Sequence, residues 1–148
     1  MKRGRDIAFD GVRDCGDAIA LVLRVRFAEC LERNAALYGD DAEAMHAFRL
    51  SCKRLRYAIE RFRQEAPQLQ PAAEFLACMT DELGSANDCT VLAERSERCG
   101  RSVLAALARE DRDRYVRRAR RLWRRAFKRR GALVDLAQYA GFTWELSA

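Results

Sequence analysis

The 148-residue chain carries 28 lysine and arginine residues against 22 aspartate and glutamate residues, a formal net charge of +6. This length fits one domain with a single core, and the 49% hydrophobic content excludes a disordered chain. The longest apolar runs, 18–23 and 103–108, have six residues each, which excludes a membrane-spanning helix of about 20 residues.

Apolar residues recur at helical spacing along most of the chain. After a loose, basic N-terminus over residues 1–13, we expect a first helix over 17–37. A second helix is expected from residue 41 or 42 to 66. Asp40 and Glu43 resemble a capping box at its start, and a proline follows its end.

The second half of the chain predicts further helices. Pro71 suits the first turn of a third helix. Gly84 predicts a turn, followed by a fourth helix that is interrupted at Gly100. The last long helix is expected to reach Arg130 and to stop at Gly131, and the pattern leaves open whether it breaks around 110–113.

The fold class that follows is all-α, an antiparallel helical bundle of four to five helices. We expect the bundle to span 14–130. Residues 131–148 are expected to pack on it, through an apolar piece that includes Phe142, Trp144 and Leu146.

The six cysteines have neither metal-ligand spacing nor the context of a disulfide framework, and there is one histidine. We therefore expect reduced cysteines that act as small hydrophobes. No metal or other cofactor is predicted.

The second helix has one apolar face and one basic face. On a wheel of about 100° per residue, the basic face holds His46, Arg49, Lys53, Arg56 and Tyr57, with Arg54 and Arg61 on its flank. Such a face is commonly just solvated, but solvated faces usually mix acids with bases. Here the bases come in succession, which favours binding of an anionic partner.

The last long helix repeats this pattern, because residues 114–130 contain no acid. Basic helices of this kind contact nucleic acid, membranes or acidic proteins. Trp123 and Phe127 fall on its apolar side, so the basic side lacks the exposed rings that single-stranded nucleic acid stacks on. Its candidate binding residues are Arg117, Arg121, Arg124 and Lys128.

Two segments of the sequence resemble the CHAD family, the conserved histidine α-helical domain. Residues 46–60 resemble its signature helix, and residues 83–88 resemble its second motif, a Leu-Gly-x-x-(Arg or Asn)-Asp turn that leads into a helix. The resemblance covers roughly 17–130 and implies a helical bundle that binds inorganic polyphosphate or another phosphate polyanion.

By motif position the resemblance implies a binding site of His46, Arg49, Lys53, Arg54 and Arg56. Tyr57 matches the signature helix as well. Asn87 and Asp88 match the turn motif, in which an aspartate is expected to cap a helix or to orient a neighbour.

Family members usually contain two such helical halves, whereas this chain has one. We therefore expect a twofold homodimer that rebuilds the doubled arrangement, in the cytoplasm and associated with polyphosphate granules rather than with a membrane.

Three other functions compete with polyphosphate binding. The chain could bind nucleic acid through the arginine-rich helix over 114–130. It could act on phosphate anhydrides. Such chemistry needs carboxylates to hold a divalent metal, but the basic face of the second helix offers only Glu60 and the turn motif only Asp88. It could also be a half-domain that keeps the fold but binds weakly. We expect no catalysis.

Overall fold

A computed structural model describes residues 4–142, which form five α-helices and two short 3₁₀ turns without a β-strand. The all-α expectation is confirmed. The helices are α1 Cys15–Arg33, α2 Ala42–Arg61, α3 Gln70–Arg98, α4 Ser102–Ala126 and α5 Val134–Tyr139, with 3₁₀ turns at Asn34–Tyr38 and Pro67–Leu69.

Helices α1 to α4 pack in sequence, α1 against α2, α2 against α3 and α3 against α4. Aromatic rings join the faces that meet at the centre. The ring of Phe48 on α2 stands edge-on to Trp123 on α4, with centroids 5.1 Å apart, and both side chains are buried. The buried stripes of these helices form one continuous core.

The predicted turn at Gly84 is wrong, because Gly84 lies inside the unbroken 29-residue helix α3. Leu76, Met79, Leu83 and Ala86 are all buried, and their spacing carries one apolar stripe across the glycine. A mid-helix glycine costs about 1 kcal/mol relative to alanine, which is less than the packing of that stripe contributes.

The ends of α2 differ slightly from the sequence-based prediction. The cap is Asp41 rather than Asp40, since its carboxylate accepts hydrogen bonds from the amides of Glu43 and Ala44 at 2.8 and 3.1 Å. The helix ends at Arg61, about a turn before the expected position.

Glycines separate the later helices. Gly100 has a φ of +69°, a conformation that favours glycine, and it ends α3 as predicted. Helix α4 is unbroken over 110–113 and ends at Ala126, not at Arg130. A Cβ at Gly131 would lie 2.1 Å from the carbonyl oxygen of Ala126, so this close return of the chain requires glycine.

The described part of the segment after α4 turns back onto the bundle. Phe142 packs edge-on against Phe27 of α1, with ring centroids 5.3 Å apart. Trp144 and Leu146 lie outside the described residues. No helix within residues 4–142 is long and apolar enough to cross a membrane.

All six cysteines are free, as predicted, but they differ in burial. Cys30 and Cys52 are fully buried in the core, but Cys15, Cys78 and Cys99 are exposed. Burial, followed by the neighbouring thiol of Cys30, raises the pKa of Cys52 well above its ordinary value.

The N-terminal segment is tied to α1 through the buried carboxylate of Glu29. This carboxylate is 1% exposed and accepts a hydrogen bond from the Arg5 amide at 2.7 Å and one from the Arg26 guanidinium at 3.1 Å. Burial by itself would raise the pKa of Glu29, but these hydrogen bonds outweigh it, and the net pKa is lowered.

We expect Glu29→Gln to lower the free energy of unfolding at neutral pH by about 1.5–3 kcal/mol, the usual contribution of a hydrogen bond to a charged group. Because folding lowers the pKa of Glu29, its stabilisation is present above the ordinary value of 4.5 and is lost as pH falls through the lowered value. Denaturant unfolding across acidic pH should therefore show a flatter pH dependence for the variant.

Glu32→Gln is the matched control. Glu32 also pairs with Arg5, at 2.6 Å, but its side chain is 52% exposed, so its loss should cost less than about 1 kcal/mol. Equal losses in the two variants would contradict the role assigned to Glu29.

Candidate functional site

The second helix has the two faces that its sequence predicts. Phe48 and Leu55 are fully buried, whereas His46 and Tyr57 on the opposite side are exposed and Lys53 is half-buried. Along α2, the distance from His46 to Arg56 is roughly 15 Å at about 1.5 Å per residue. We call His46, Arg49, Lys53, Arg56 and Tyr57 the basic face of α2.

Arg49 lies at the edge of this face that adjoins α3. Its Nε donates a hydrogen bond to the carbonyl oxygen of Thr80 at 3.3 Å. A Cβ built on Gly84 would lie 3.4 Å from both Nε and Nη2 of Arg49. The guanidinium therefore rests on the bare backbone of Gly84, so that the two sequence motifs are in direct contact.

The motifs meet again one turn away. His46 and Asn87 line one small pocket between α2 and α3, together with Thr90 and with Arg112 of α4. Because the helices run antiparallel, His46 lies one turn before Arg49 just as Asn87 lies one turn after Gly84. The same register therefore produces both contacts.

Asp88 does not cap a helix, because it lies in the middle of α3. Its side chain is exposed, and the alternative role, orienting a neighbour, stays a prediction. Asn87 likewise belongs to a continuous helix, and its position is set by the pairing of α2 with α3.

Tyr57 holds the cations of the basic face close together. The Nζ of Lys53 lies 5.6 Å from the ring centroid and the Cζ of Arg56 lies 4.9 Å from it, both within the range of a cation–π contact. A hydrogen bond with Lys53 and a second with Arg56 lower the pKa of the Tyr57 hydroxyl from its ordinary 10.0.

One carboxylate lies within this face. Glu60 forms an ion pair with Arg56, with 3.5 Å between Oε1 and Nε. Within residues 4–142, the structure gives neither His46, Arg49 nor Lys53 an ion pair with an acid. The central part of the face therefore keeps its positive charge uncompensated.

Arg54 points to a different part of the surface. A Cβ at Gly4 would lie 3.3 Å from its Cδ and 2.6 Å from Nη1 of Arg26. Arg54 therefore lies beside α1 and the N-terminal segment, on the side of α2 opposite the edge where Arg49 meets α3. Arg54 and Arg49 therefore lie on opposite sides of His46, Lys53 and Tyr57.

The predicted site residues of α4 lie on another surface, except that Arg117 lines a pocket with Arg112, which also lines the pocket of His46. Arg117, Arg121 and Arg124 are exposed on α4, and Lys128 follows the end of the helix. Helices α2 and α4 face each other through Phe48 and Trp123. Around their own helices, Lys53 lies about 140° from Phe48 and Arg121 lies about 160° from Trp123, so the two basic surfaces face away from each other.

The structure adds Arg112, which the sequence analysis did not single out. It lines the pocket that contains His46 and Asn87, and its Nη1 lies 3.7 Å from Asp40 and 3.2 Å from Asp113. Its own sequence neighbourhood of mixed charges carries no binding signal. Only the packing of α4 against α3 brings it beside the basic face of α2.

No group of three or more histidine, cysteine, aspartate or glutamate side chains within residues 4–142 is arranged to hold a metal ion. What the basic face offers is a set of hydrogen-bond donors held at fixed spacing. Arginine and lysine donors in this arrangement bind anionic oxygens, and phosphate above all.

We expect Gly84→Ala to raise the free energy of unfolding by up to about 1 kcal/mol, because alanine favours the helix and its methyl group would only touch Arg49. Gly84→Leu should lower it, because the larger side chain needs the space of the guanidinium. Thermal or denaturant unfolding measures both effects.

A double-mutant cycle tests whether the contact with Arg49 causes the loss of stability in Gly84→Leu. Leucine at position 84 should cost less in an Arg49→Ala background, where the guanidinium is gone. An equal cost in both backgrounds would show that Arg49 does not occupy the space above Gly84.

Comparison with known proteins gives one match. A family model described as the CHAD domain matches residues 11–97, which is more than half of the chain and includes α1, α2 and nearly all of α3. Comparisons with curated proteins and with solved structures give no significant match. The matched range contains both segments that meet at Arg49 and Gly84, and on this evidence the chain belongs to the CHAD domain family.

Proposed function

We propose that the basic face of α2 binds inorganic polyphosphate and that the protein does no chemistry on it. The observation that carries this proposal is the uncompensated charge of Arg49 and Lys53, beside an exposed His46. The Arg49 guanidinium is already held by Thr80, so little side-chain entropy is lost when an anion binds.

The shape of the face suits a linear polyanion. Donors follow one another along roughly 15 Å of helix, so that successive phosphates of one chain can each meet a cation. Polyphosphate has no bases and needs no stacking surface. The exposed ring within this face, Tyr57, already has Lys53 and Arg56 against it.

A binding role without catalysis is supported by the acids near this face. Hydrolysis of phosphate anhydrides normally uses carboxylates that hold a divalent metal beside the phosphates. Glu60 is engaged by Arg56, and Asp88 belongs to a different helix. Release of phosphate from polyphosphate in the presence of magnesium would contradict this part of the proposal.

We expect Arg49→Ala with Lys53→Ala to weaken polyphosphate binding about tenfold, because each exposed charged contact contributes up to about 1 kcal/mol. The slope of log affinity against log salt concentration should become shallower by about 0.7 for each lost contact. Titration calorimetry with long-chain polyphosphate at several salt concentrations measures both.

Two control variants remove the same charge elsewhere. Arg63→Ala with Arg95→Ala changes exposed arginines outside both basic surfaces and should change affinity less than twofold. Arg121→Ala with Arg124→Ala tests the basic surface of α4. Unchanged affinity after the loss of Arg49 and Lys53 would overturn the proposed site and favour a half-domain that only keeps the fold.

The alternative is nucleic-acid binding, and the exposed arginines of α4 favour it. The largest ring of α4 is not available for stacking, since Trp123 is 4% exposed. In competition, long-chain polyphosphate should displace RNA or DNA at lower concentration than the reverse. Preferential retention of nucleic acid, lost in the Arg121→Ala and Arg124→Ala variant, would reverse the ranking.

The lowered pKa of Tyr57 predicts a pH dependence. Below this pKa the hydroxyl is neutral, and above it the phenolate adds a negative charge to the basic face. We therefore expect polyphosphate affinity to fall as pH rises through a value below the ordinary 10.0, and Tyr57→Phe to remove that step.

Bound polyphosphate should in turn raise the pKa of Tyr57, because linkage between proton and anion is reciprocal. The ultraviolet absorbance of tyrosinate follows this titration. If polyphosphate affinity fell with rising alkaline pH to the same extent in the wild type and in Tyr57→Phe, Tyr57 would not contribute to the site.

A further inference from the structure

The C-terminal end of α3 and the N-terminal end of α4 extend beyond the rest of the bundle. Ala42, the first residue of α2, lines the same pocket as Thr90 and Arg112, so residues 91–110 lie past the end of α2. None of them belongs to the main hydrophobic core. We call residues 91–110 the hairpin tip; its part of α3 projects by about 12 Å.

The hairpin tip has its small apolar residues inside and its large ones outside. Ala93, Ala105 and Ala108 are buried between the two helices. In contrast, five of the chain's exposed large hydrophobic residues lie in this short segment, namely Val91, Leu92, Val103, Leu104 and Leu107, with 37–75% of their surface accessible. Single exposed leucines are ordinary, but a concentration of this kind marks an interaction surface.

Three of these side chains share one side of the hairpin. Leu104 and Leu107 are one turn apart on α4 and therefore lie on the same face. Ala93, Ala105 and Ala108 fill the space between the two helices. Leu92, Leu104 and Leu107 each come directly before one of these alanines, and because the helices run antiparallel, the three leucines lie on the same side of the hairpin.

The ends of the described residues lie away from this surface. Phe142 packs against Phe27 near the other end of α4, and the 25-residue helix is about 37 Å long. Gly4 lies beside Arg54, also well below the tip.

The charges of the hairpin tip favour a second copy of the same chain as the partner. The tip carries three acids and four bases, namely Glu94, Glu97, Glu110, Arg95, Arg98, Arg101 and Arg109, whereas residues 114–130 carry ten bases and no acid. Two copies with a net charge of +6 repel each other at their basic surfaces. At the tip, a twofold contact can place the arginines of one copy near the glutamates of the other.

We propose that two copies of this chain associate through their hairpin tips, with Leu92, Leu104 and Leu107 at the centre of a twofold contact and the tip's charged residues around it. Such an apolar centre with a charged rim is the usual composition of an interface. Because the tip is short, the dimer is reversible and depends on protein concentration. This inference does not depend on polyphosphate binding, and it leaves the basic face of α2 uncovered.

Sedimentation velocity of the 148-residue chain over a dilution series, without polyphosphate, tests the proposal. We expect the wild type to shift from dimer to monomer on dilution. Leu104→Glu with Leu107→Glu should be monomeric throughout, with unchanged helical circular dichroism because both side chains are already exposed. The matched control, Gln64→Glu with Gln68→Glu, adds the same charge at exposed positions near the start of α3 and should dimerise like the wild type.

A mixing experiment separates a tip contact from a general effect of charge. Leu104→Lys with Leu107→Lys should also be monomeric, but an equal mixture of the lysine and glutamate variants should regain dimers by attraction of opposite charges. A wild type that stays monomeric, or a glutamate variant that dimerises like the wild type, would overturn the proposal. So would a mixture that remains monomeric.

Discussion

The contact of Arg49 with Gly84 is the constraint on which the arrangement of the candidate site depends. A glycine without a side chain lets the guanidinium lie on the backbone of α3, where the carbonyl of Thr80 accepts its hydrogen bond. This contact agrees with the antiparallel register that brings His46 beside Asn87. One packing relation therefore orients a cation, positions a histidine and keeps a glycine within a long helix.

The same packing separates binding from stability. On α2, Phe48 and Leu55 supply the core while His46 and Lys53 remain at the surface, so the charged residues carry little of the folding free energy. The ionic contact that does secure the fold lies elsewhere, at buried Glu29. A protein built this way can concentrate like charges on one face because its core does not depend on them.

Local sequence pattern predicted much of the fold and the basic face of α2, but not the residues of α3 and α4 that pack beside this face. The apolar spacing of α1, α2 and α4 and the stop at Gly100 are visible in the sequence, as is the basic face of α2. The continuity of α3 through Gly84 is not visible in the sequence, because an isolated glycine favours a turn, and the helix is carried across it by the packing of its buried apolar stripe. Arg112 was missed for the same reason, since it joins the site through the packing of α4.

The sequence by itself determined that this chain is helical, that α2 is two-sided, and that positive charge is concentrated in α2 and α4, because periodicity and charge are local properties. Only the tertiary structure decided which charges act together. Helices α2 and α4 meet through Phe48 and Trp123, so their basic surfaces face away from each other. It also decided which leucines stay exposed, because a leucine is buried only where another helix packs against it.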